Sequence, residues 1–220
     1  MKLIPQSWSF DGSINGSAIL RKLERAGRTC YKSESKITDD SAAVFCCALI
    51  KSGHHSVLEH VNVTVRIITN RGVSHELVRH RLASYSQEST RYCDYSGEME
   101  FIQPDWCPLS ICAEYGDNDY WPGDDEAVHD FVNFLSSCER AYGNLRSLGW
   151  PPQKAREVLP NALKTEIVMT CNIREWRHFF TLRCSKAAHP QMRALALDML
   201  TGFSDLIPVI FDDIKEQYND

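Results

Sequence analysis

The sequence has little that would mark a secreted, membrane-bound or general nucleic-acid-binding protein. Its first residues lack the long apolar core of a signal peptide, and its longest apolar run, residues 42–50, is far too short to span a bilayer. Its nine cysteines include no CxxC pair, which argues against a disulfide framework and for reduced thiols in a cytosol. A net charge of −5 weighs against the broad basic face of a general nucleic-acid binder. We therefore expect a cytoplasmic protein that binds neither membranes nor nucleic acids.

The length and composition are those of a globular protein with a sizeable core. The chain has 220 residues, of which 43% are hydrophobic and 24% are charged, and it shows no internal repeat. Periodic apolar positions predict helices over 17–31, 42–52, 72–81, 124–148, 174–183 and 190–203, and strands over 61–69 and 165–171. Helix 42–52 is apolar nearly all round, which predicts that it is buried. The pattern indicates a single α+β domain over residues 1–220, with a central sheet flanked by helices.

The most distinctive stretch of the chain is rich in arginine. Between Arg66 and Tyr92 it carries five arginines and two acids, a local charge of +3 within an acidic protein. A guanidinium group is planar, permanently charged and able to bind phosphate through two hydrogen bonds. The stretch therefore predicts a site for a phosphate-bearing ligand, at the end of a helix and in the loop that follows it. Residues 105–123 form a separate excursion, and the acid-rich residues 114–126 are excluded from an anion site by their charge.

The residues alone leave two other functional classes open. A single-stranded nucleic-acid binder could place the arginines of this stretch on phosphates and stack bases on Tyr85 and Tyr92. A zinc hydrolase could use the three histidines around Glu59, but their spacing is not HExxH and no cysteine lies within the usual ligand spacing. We therefore expect no metal site.

Four segments, in order along the chain, carry a family signature. They are Gly53-His54 with Glu59-His60; Arg79-His80-Arg81, followed after seven residues by Ser89 and then Arg91-Tyr92; Ala155-Arg156 with Leu159-Pro160; and Asn172 and Arg174 through Leu182-Arg183 to His189. These segments closely resemble the flavin-dependent thymidylate synthases, the ThyX family. The resemblance covers about residues 53–193, which is most of the chain.

The resemblance implies an enzyme of a particular type. Such an enzyme is a methyltransferase that converts dUMP to dTMP by reductive methylation, with methylenetetrahydrofolate as carbon donor, bound FAD as carrier and NADPH as reductant. Members of the family are homotetramers whose active sites lie between subunits, and their fold is the thymidylate synthase-complementing-protein type. The chain has no GxGxxG dinucleotide-binding motif, so FAD would be held by side chains on shared subunit surfaces.

The resemblance also implies roles for residues of this chain. Arg183 would be the catalytic residue, because a fixed guanidinium beside the uracil stabilises the negative charge that activates the ring. The dUMP-binding residues would be Glu76, Leu77, Val78, Arg79, Gln87, Glu88, Ser89, Thr90, Arg91, Arg156 and Arg183. The FAD-binding residues would be His54, Ser56, Arg79, His80, Arg81, Gln87, Asn172, Ile173, Arg174 and His178.

Some positions depart from the family pattern. Ser86-Gln87 stands where Asn-Glu is usual; the amide removes a negative charge beside an anionic nucleotide but keeps a hydrogen-bonding group, so we expect the contact to survive. His178 stands where asparagine is frequent, and two extra residues before His189 leave that histidine without a role. Ser89 shows no adjacent base that would make it a nucleophile, so we expect it to bind phosphate or sugar.

Overall fold

The computed structural model describes residues 1–107 and 125–218, so the predicted excursion lies almost entirely outside the described residues. The strands are β1 Lys2–Ile4, β2 Ser7–Phe10, β3 Asn62–Asn70, β4 Ala83–Gln87, β5 Glu100–Ile102 and β6 Lys164–Asn172. The helices are α1 Gly16–Thr29, α2 Ser41–Lys51, α3 Arg71–Leu77, α4 Glu126–Ser147, α5 Pro152–Ala155, α6 Ile173–Arg183, α7 Pro190–Leu206 and α8 Pro208–Lys215. Short 3-10 turns lie at Glu34–Lys36, His55–His60, Arg156–Val158 and Glu216–Tyr218. This mixture of helices and strands confirms the predicted α+β class.

Local capping explains where the long helices begin and end. The side-chain oxygen of Asn15 accepts a hydrogen bond from the backbone N–H of Ala18 at 2.9 Å and so begins α1. Asp125 begins α4 in the same way, by accepting from the backbone N–H of Ala127 at 2.9 Å. Gly149, which follows α4, has a φ of 89°, a conformation that glycine adopts without strain. Helices α1, α2 and α4 lie close to their predicted positions.

The predicted burial of helix 42–52 is wrong for one face of α2. Ala42, Cys46 and Leu49 are buried, and their spacing places them on one stripe of the helix. Val44 lies off that stripe and is 73% exposed. The helix is apolar on all its faces, but only the stripe with Ala42, Cys46 and Leu49 is buried against the rest of the chain. The other faces of α2 are therefore not buried within the chain.

The helix predicted over residues 72–81 ends earlier than predicted. Helix α3 ends at Leu77, where the backbone N–H groups of Val78 and Arg79 bond to the carbonyl oxygens of Ser74 and Glu76. The chain then forms strand β4 from Ala83. The Arg79-His80-Arg81 segment consequently lies in the short link between a helix and a strand.

The strands form two sheets. In the smaller one, β1 and β5 pair in parallel with Lys2 opposite Glu100. The larger one has the strand order β2-β3-β6-β4. Alternate residues of β3 and β6 are buried, as the pleat of a strand requires, and Val63, Val65 and Ile67 form the buried row of β3. These two strands confirm the predictions for 61–69 and 165–171.

The chain divides into two compact units. Unit 1 comprises residues 1–7, 67–79 and 86–167, and unit 2 comprises residues 8–66, 80–85 and 168–220. The core of unit 1 includes Met99, Phe101, Leu135 and Tyr142. The core of unit 2 contains fully buried aromatic side chains, namely Trp176, Phe179, Phe180, Phe203 and Phe211. A single domain over 1–220 stays a prediction. Among the described helices, none is long and apolar enough to cross a membrane.

Candidate active site

In unit 1, hydrogen bonds to buried hydroxyl groups fix the chain where β4 ends. Gln87 Nε2 donates to Ser74 Oγ at 2.8 Å and to Thr165 Oγ1 at 3.1 Å. Arg71 Nη1 donates to the same Thr165 oxygen at 3.1 Å and to the backbone carbonyl of Glu88 at 3.0 Å. Ser74 and Thr165 are both fully buried. The predicted nucleotide-binding run therefore begins from a rigid position.

The carboxylate of Glu88 is held within unit 1. It accepts hydrogen bonds from the Tyr95 hydroxyl at 2.8 Å, from Lys164 Nζ at 3.3 Å and from the backbone N–H of Glu166 at 3.2 Å. Burial, together with this carboxylate, raises the pKa of Tyr95. These contacts give Glu88 a stabilising role, and the predicted contact of Glu88 with dUMP stays a prediction.

A cleft of about 250 Å³ in unit 1 presents cationic and hydroxyl groups. Its lining includes Arg71, His75, Thr90 and Arg156. Arg156 Nη1 donates to the hydroxyl of Thr90 at 3.4 Å, and Thr90 is itself buried. Glu157 also lines the cleft, with its Oε1 3.8 Å from Arg156 Nε, but its side chain is mostly exposed, so it screens the arginine weakly. The cleft therefore suits an anion such as phosphate.

The sequence predicted Thr90 and Arg156 as dUMP-binding residues and counted Arg71 among the arginines of the phosphate-binding stretch, but it assigned no individual role to Arg71 and missed His75. Arg71 is the residue immediately after β3, and His75 lies one helical turn further along α3. For His75, the available sequence signal is its position on a predicted helix inside the arginine-rich stretch.

Five of the ten residues predicted to bind flavin line two clefts of unit 2. One cleft, of about 480 Å³, is lined by Asn172, Arg174 and His178 together with Glu59, Leu82 and Glu175. The other, of about 400 Å³, is lined by His54 and Ser56 and includes the aromatic rings of Tyr31 and Phe45. Arg174 Nη1 donates to Glu59 Oε1 at 2.6 Å, and both side chains are about half exposed. The structure thus gathers three of the predicted residues at one cleft and two at the other.

The arginines and the histidine of the Arg79-His80-Arg81 segment differ in solvent exposure. Both arginines are exposed, whereas His80 is only 5% exposed. Within residues 1–107 and 125–218, the side chains of Arg79 and Arg81 form no hydrogen bond or ion pair with the rest of the chain. Arg91 is also exposed, and its guanidinium lies over the ring of Tyr92 at 5.3 Å. The exposed arginines are placed to bind an anion that comes from solution.

His80 is buried between an acid and an arginine. Its Nδ1 lies 3.3 Å from Glu175 Oε1, and its Nε2 accepts a hydrogen bond from Arg183 Nε at 3.0 Å. Burial, the positive charge of Arg183 and the proximity of His178 together lower the pKa of His80 from 6.5 to about 4. The imidazole is therefore neutral near pH 7. The sequence reasoning missed Glu175, which lies 95 residues from its partner.

His80, Glu175 and His178 lie close enough together to share a metal ion. Both ring nitrogens of His80 are already engaged, however, and the guanidinium of Arg183 lies against one of them. A cation at this position would meet the arginine charge, which disfavours metal binding.

Leu77 and Ile173, predicted at the ligands, have no exposed side-chain surface. Because each whole residue is buried, the predicted contacts of these two residues with nucleotide or flavin stay predictions. His189 is exposed and precedes the first turn of α7.

The fold and the clefts define a class of protein. It is an α+β protein whose arginine-rich segments and polar clefts are suited to phosphate-bearing ligands. Residues 17–209 match the family model described as thymidylate synthase complementing protein. The chain belongs to this family.

Named relatives agree with that assignment. A flavin-dependent thymidylate synthase from Geobacter sulfurreducens is 38% identical over 195 residues, which cover 86% of this chain and 78% of the relative. Another from Mycobacterium avium is 36% identical over 219 residues, which cover 94% and 83% respectively. Among solved structures, a UMP/dUMP methylase PolB from Streptomyces cacaoi, bound with 5-Br dUMP, shares the fold with a TM-score of 0.75 and 24% identity over 96% of each chain. The resemblance seen in the sequence is confirmed.

Proposed function

We propose that this protein is an enzyme that converts dUMP to dTMP by reductive methylation. Methylenetetrahydrofolate supplies the carbon, FAD is the bound cofactor and NADPH is the reductant. Membership of the family over residues 17–209 carries the proposal, and the relatives named flavin-dependent thymidylate synthases support it. We propose that the clefts and exposed arginines of this chain bind the nucleotide and the flavin.

The phosphate of dUMP is proposed to bind at the 250 Å³ cleft of unit 1. Arg156 and Thr90 provide a guanidinium and a hydroxyl that already lie within hydrogen-bonding distance of each other. Arg71 and His75 add positive charge and a further donor at the same cleft. Because a guanidinium binds phosphate with two parallel hydrogen bonds, Arg156 also orients the nucleotide.

Arg183 is proposed to activate the uracil ring. Carbon 5 of uracil is a poor nucleophile until negative charge builds on the pyrimidine, and a guanidinium near N3 and O4 stabilises that charge as it develops. Arg183 is the last residue of α6 and is partly exposed, so it is anchored at one side and accessible to a ligand.

The clefts of unit 2 are proposed to bind parts of FAD. Arg174 offers a cation for the pyrophosphate, and the side chains of Asn172 and His178 offer polar groups at the 480 Å³ cleft. His54 and Ser56 lie beside two aromatic rings at the other cleft, a surface suited to a flat ring system. When bound, FAD supplies the hydride and carries the one-carbon unit. The protein residues hold and orient it.

The protein is further proposed to be a cytoplasmic homotetramer whose subunits share the binding residues at each site. Among the described residues, several large apolar side chains are exposed, including Val44, Phe134, Leu148 and Leu182. Such side chains are candidates for subunit contacts. Light scattering after gel filtration should give a mass of about four times the chain mass of 25.1 kDa. A mass equal to one chain would contradict this part of the proposal.

A flavin absorption spectrum tests the proposed binding sites. The FAD-loaded protein should show a flavin band that shifts when dUMP is added, because the proposed transfer of carbon and hydride requires the flavin ring to lie beside the nucleotide. Arg156→Ala should shift the dUMP titration to higher concentration, whereas Arg140→Ala, which removes an exposed arginine of α4, should not. The proposal would be contradicted if the protein bound no flavin, or if the flavin band stayed unchanged when dUMP was added.

A further inference from the structure

We propose that Glu175 and His80 together position Arg183, with Glu175 fixing the tautomer of His80 and His80 fixing the plane of the arginine. This inference rests on the proposed function for the catalytic role of Arg183. Neither Glu175 nor His80 would touch the reacting atoms, so both are positioning residues.

The hydrogen bonds determine the tautomer of His80. An arginine Nε carries a hydrogen at every physiological pH, so the Arg183 Nε contact at 3.0 Å makes His80 Nε2 the acceptor. A neutral imidazole has one donor nitrogen and one acceptor nitrogen. Its hydrogen must therefore lie on Nδ1, where it donates to Glu175 Oε1 at 3.3 Å. The other tautomer would place two N–H groups against each other.

The surroundings hold this pair in place. Glu175 is only 6% exposed, and its own backbone N–H donates to the side-chain oxygen of Asn172 at 2.9 Å, at the first turn of α6. The ring of Phe179 lies edge-on to the His80 ring with centroids 5.0 Å apart. The Tyr85 hydroxyl donates to the backbone carbonyl of His80 at 2.8 Å. All of these residues belong to unit 2.

The consequence for Arg183 follows from the shape of its side chain. A guanidinium group is planar, so fixing the direction of its Nε–H also fixes the plane in which its two terminal nitrogens lie. A catalytic group that is already oriented loses less rotational freedom when substrate binds. Glu175 thus acts on the reaction through two hydrogen bonds in series.

The first test is the tautomer of His80, measured by ¹⁵N NMR of histidine-labelled protein without substrate. The wild type should show a hydrogen on Nδ1 and none on Nε2. Glu175→Gln keeps an acceptor oxygen and should keep this tautomer, whereas Glu175→Leu removes the acceptor and should give Nε2–H or a mixture. A wild-type His80 with its hydrogen on Nε2 would overturn the inference.

The second test is kinetic. Glu175→Leu should lower kcat about 10- to 100-fold, the size expected when a buried hydrogen bond to a charged group is lost, while KM for dUMP changes less than about threefold. Glu175→Gln should retain at least about a third of the wild-type kcat, which is the rescue that a positioning role predicts. Equal kcat values for Glu175→Leu and Glu175→Gln would overturn the inference.

A matched control separates positioning from loss of stability. Glu24 is another buried carboxylate of unit 2, paired with Arg28 at 2.8 Å. Glu24→Leu should lower stability as Glu175→Leu does, yet leave kcat and the His80 tautomer unchanged. If Glu175→Leu does not fold, His80→Gln and His80→Leu make the same comparison, because only the glutamine offers Arg183 an acceptor. Equal kcat in those two variants would overturn the inference.

The two tests distinguish this inference from the proposed function. A wild-type protein that makes no dTMP but carries the Nδ1–H tautomer would refute the proposed function and support the hydrogen-bond series. A protein that makes dTMP but carries the hydrogen of His80 on Nε2 would support the proposed function and refute the hydrogen-bond series.

Discussion

The buried neutral state of His80 makes the stability of this protein depend on pH. The pKa of His80 falls from 6.5 to about 4 in the folded protein, because the ring is buried beside Arg183. Between pH 6.5 and about pH 4, this histidine is therefore protonated in the unfolded chain but neutral in the folded one. The free energy of unfolding decreases as the pH falls through this range. Each unit between the two pKa values corresponds to about 1.4 kcal/mol, so lowering the pH from about 7.5 to about 5 costs about 2 kcal/mol through this histidine alone.

The measurement is chemical denaturation of the wild type and of His80→Gln at both pH values. Ionisable groups that do not contact residue 80 are common to both proteins, so the difference between them reports on His80 and its immediate neighbours. The wild type should lose about 2 kcal/mol more of its free energy of unfolding than His80→Gln. Parallel losses in the two proteins would refute the reasoning, as would an NMR titration that places the pKa of His80 near its ordinary 6.5.

Three substitutions test other parts of the structure. Arg183→Ala should lower kcat at least about 100-fold but leave FAD bound, as judged by the flavin spectrum of the purified variant; loss of the flavin would show that Arg183 serves cofactor binding instead. Arg156→Ala should raise KM for dUMP about 10- to 50-fold in steady-state assays, and an unchanged KM would remove the phosphate from that cleft. Glu88→Gln should lower the free energy of unfolding by about 1–3 kcal/mol, because Lys164 and Tyr95 lose a charged acceptor; an unchanged denaturation midpoint would contradict this.

The long, periodic elements could be predicted from the sequence because their signals are local. Strand β3 alternates polar and apolar residues over positions 62–67, and α4 begins at a capping aspartate. Strands β1, β2 and β5 could not be found in this way. They have three or four residues each, and β1 forms only by pairing with β5, almost a hundred residues later.

The position of His80 shows how tertiary contacts override a local pattern. A histidine between two arginines reads as part of an exposed basic segment, and the arginines are indeed exposed. Its burial depends on Glu175 and Arg183, which are 95 and 103 residues away. No spacing in the sequence joins these residues, so the role of Glu175 emerges only from the folded chain. The predicted contact of His80 with FAD stays a prediction beside this observed one.

Glu88 shows a similar limit within the predicted nucleotide-binding run. Its place in the family signature predicts a ligand contact, but its carboxylate meets Lys164, Tyr95 and the backbone of Glu166. Residues that are neighbours in sequence thus differ in their contacts: the side chains of Gln87 and Glu88 form hydrogen bonds within the protein, whereas Arg91 is exposed. A motif fixes which residues occur, whereas the strand pleat and distant partners decide which way each one points.

The most direct test of the central proposal is the formation of dTMP. Purified protein would be incubated with FAD, NADPH, dUMP and methylenetetrahydrofolate carrying a ¹³C-labelled methylene group, and the nucleotides would be measured by mass spectrometry. The account predicts dTMP that carries the label, formed only when all four compounds are present, and almost none with Arg183→Ala. Unchanged dUMP in a preparation that binds both FAD and dUMP would contradict it.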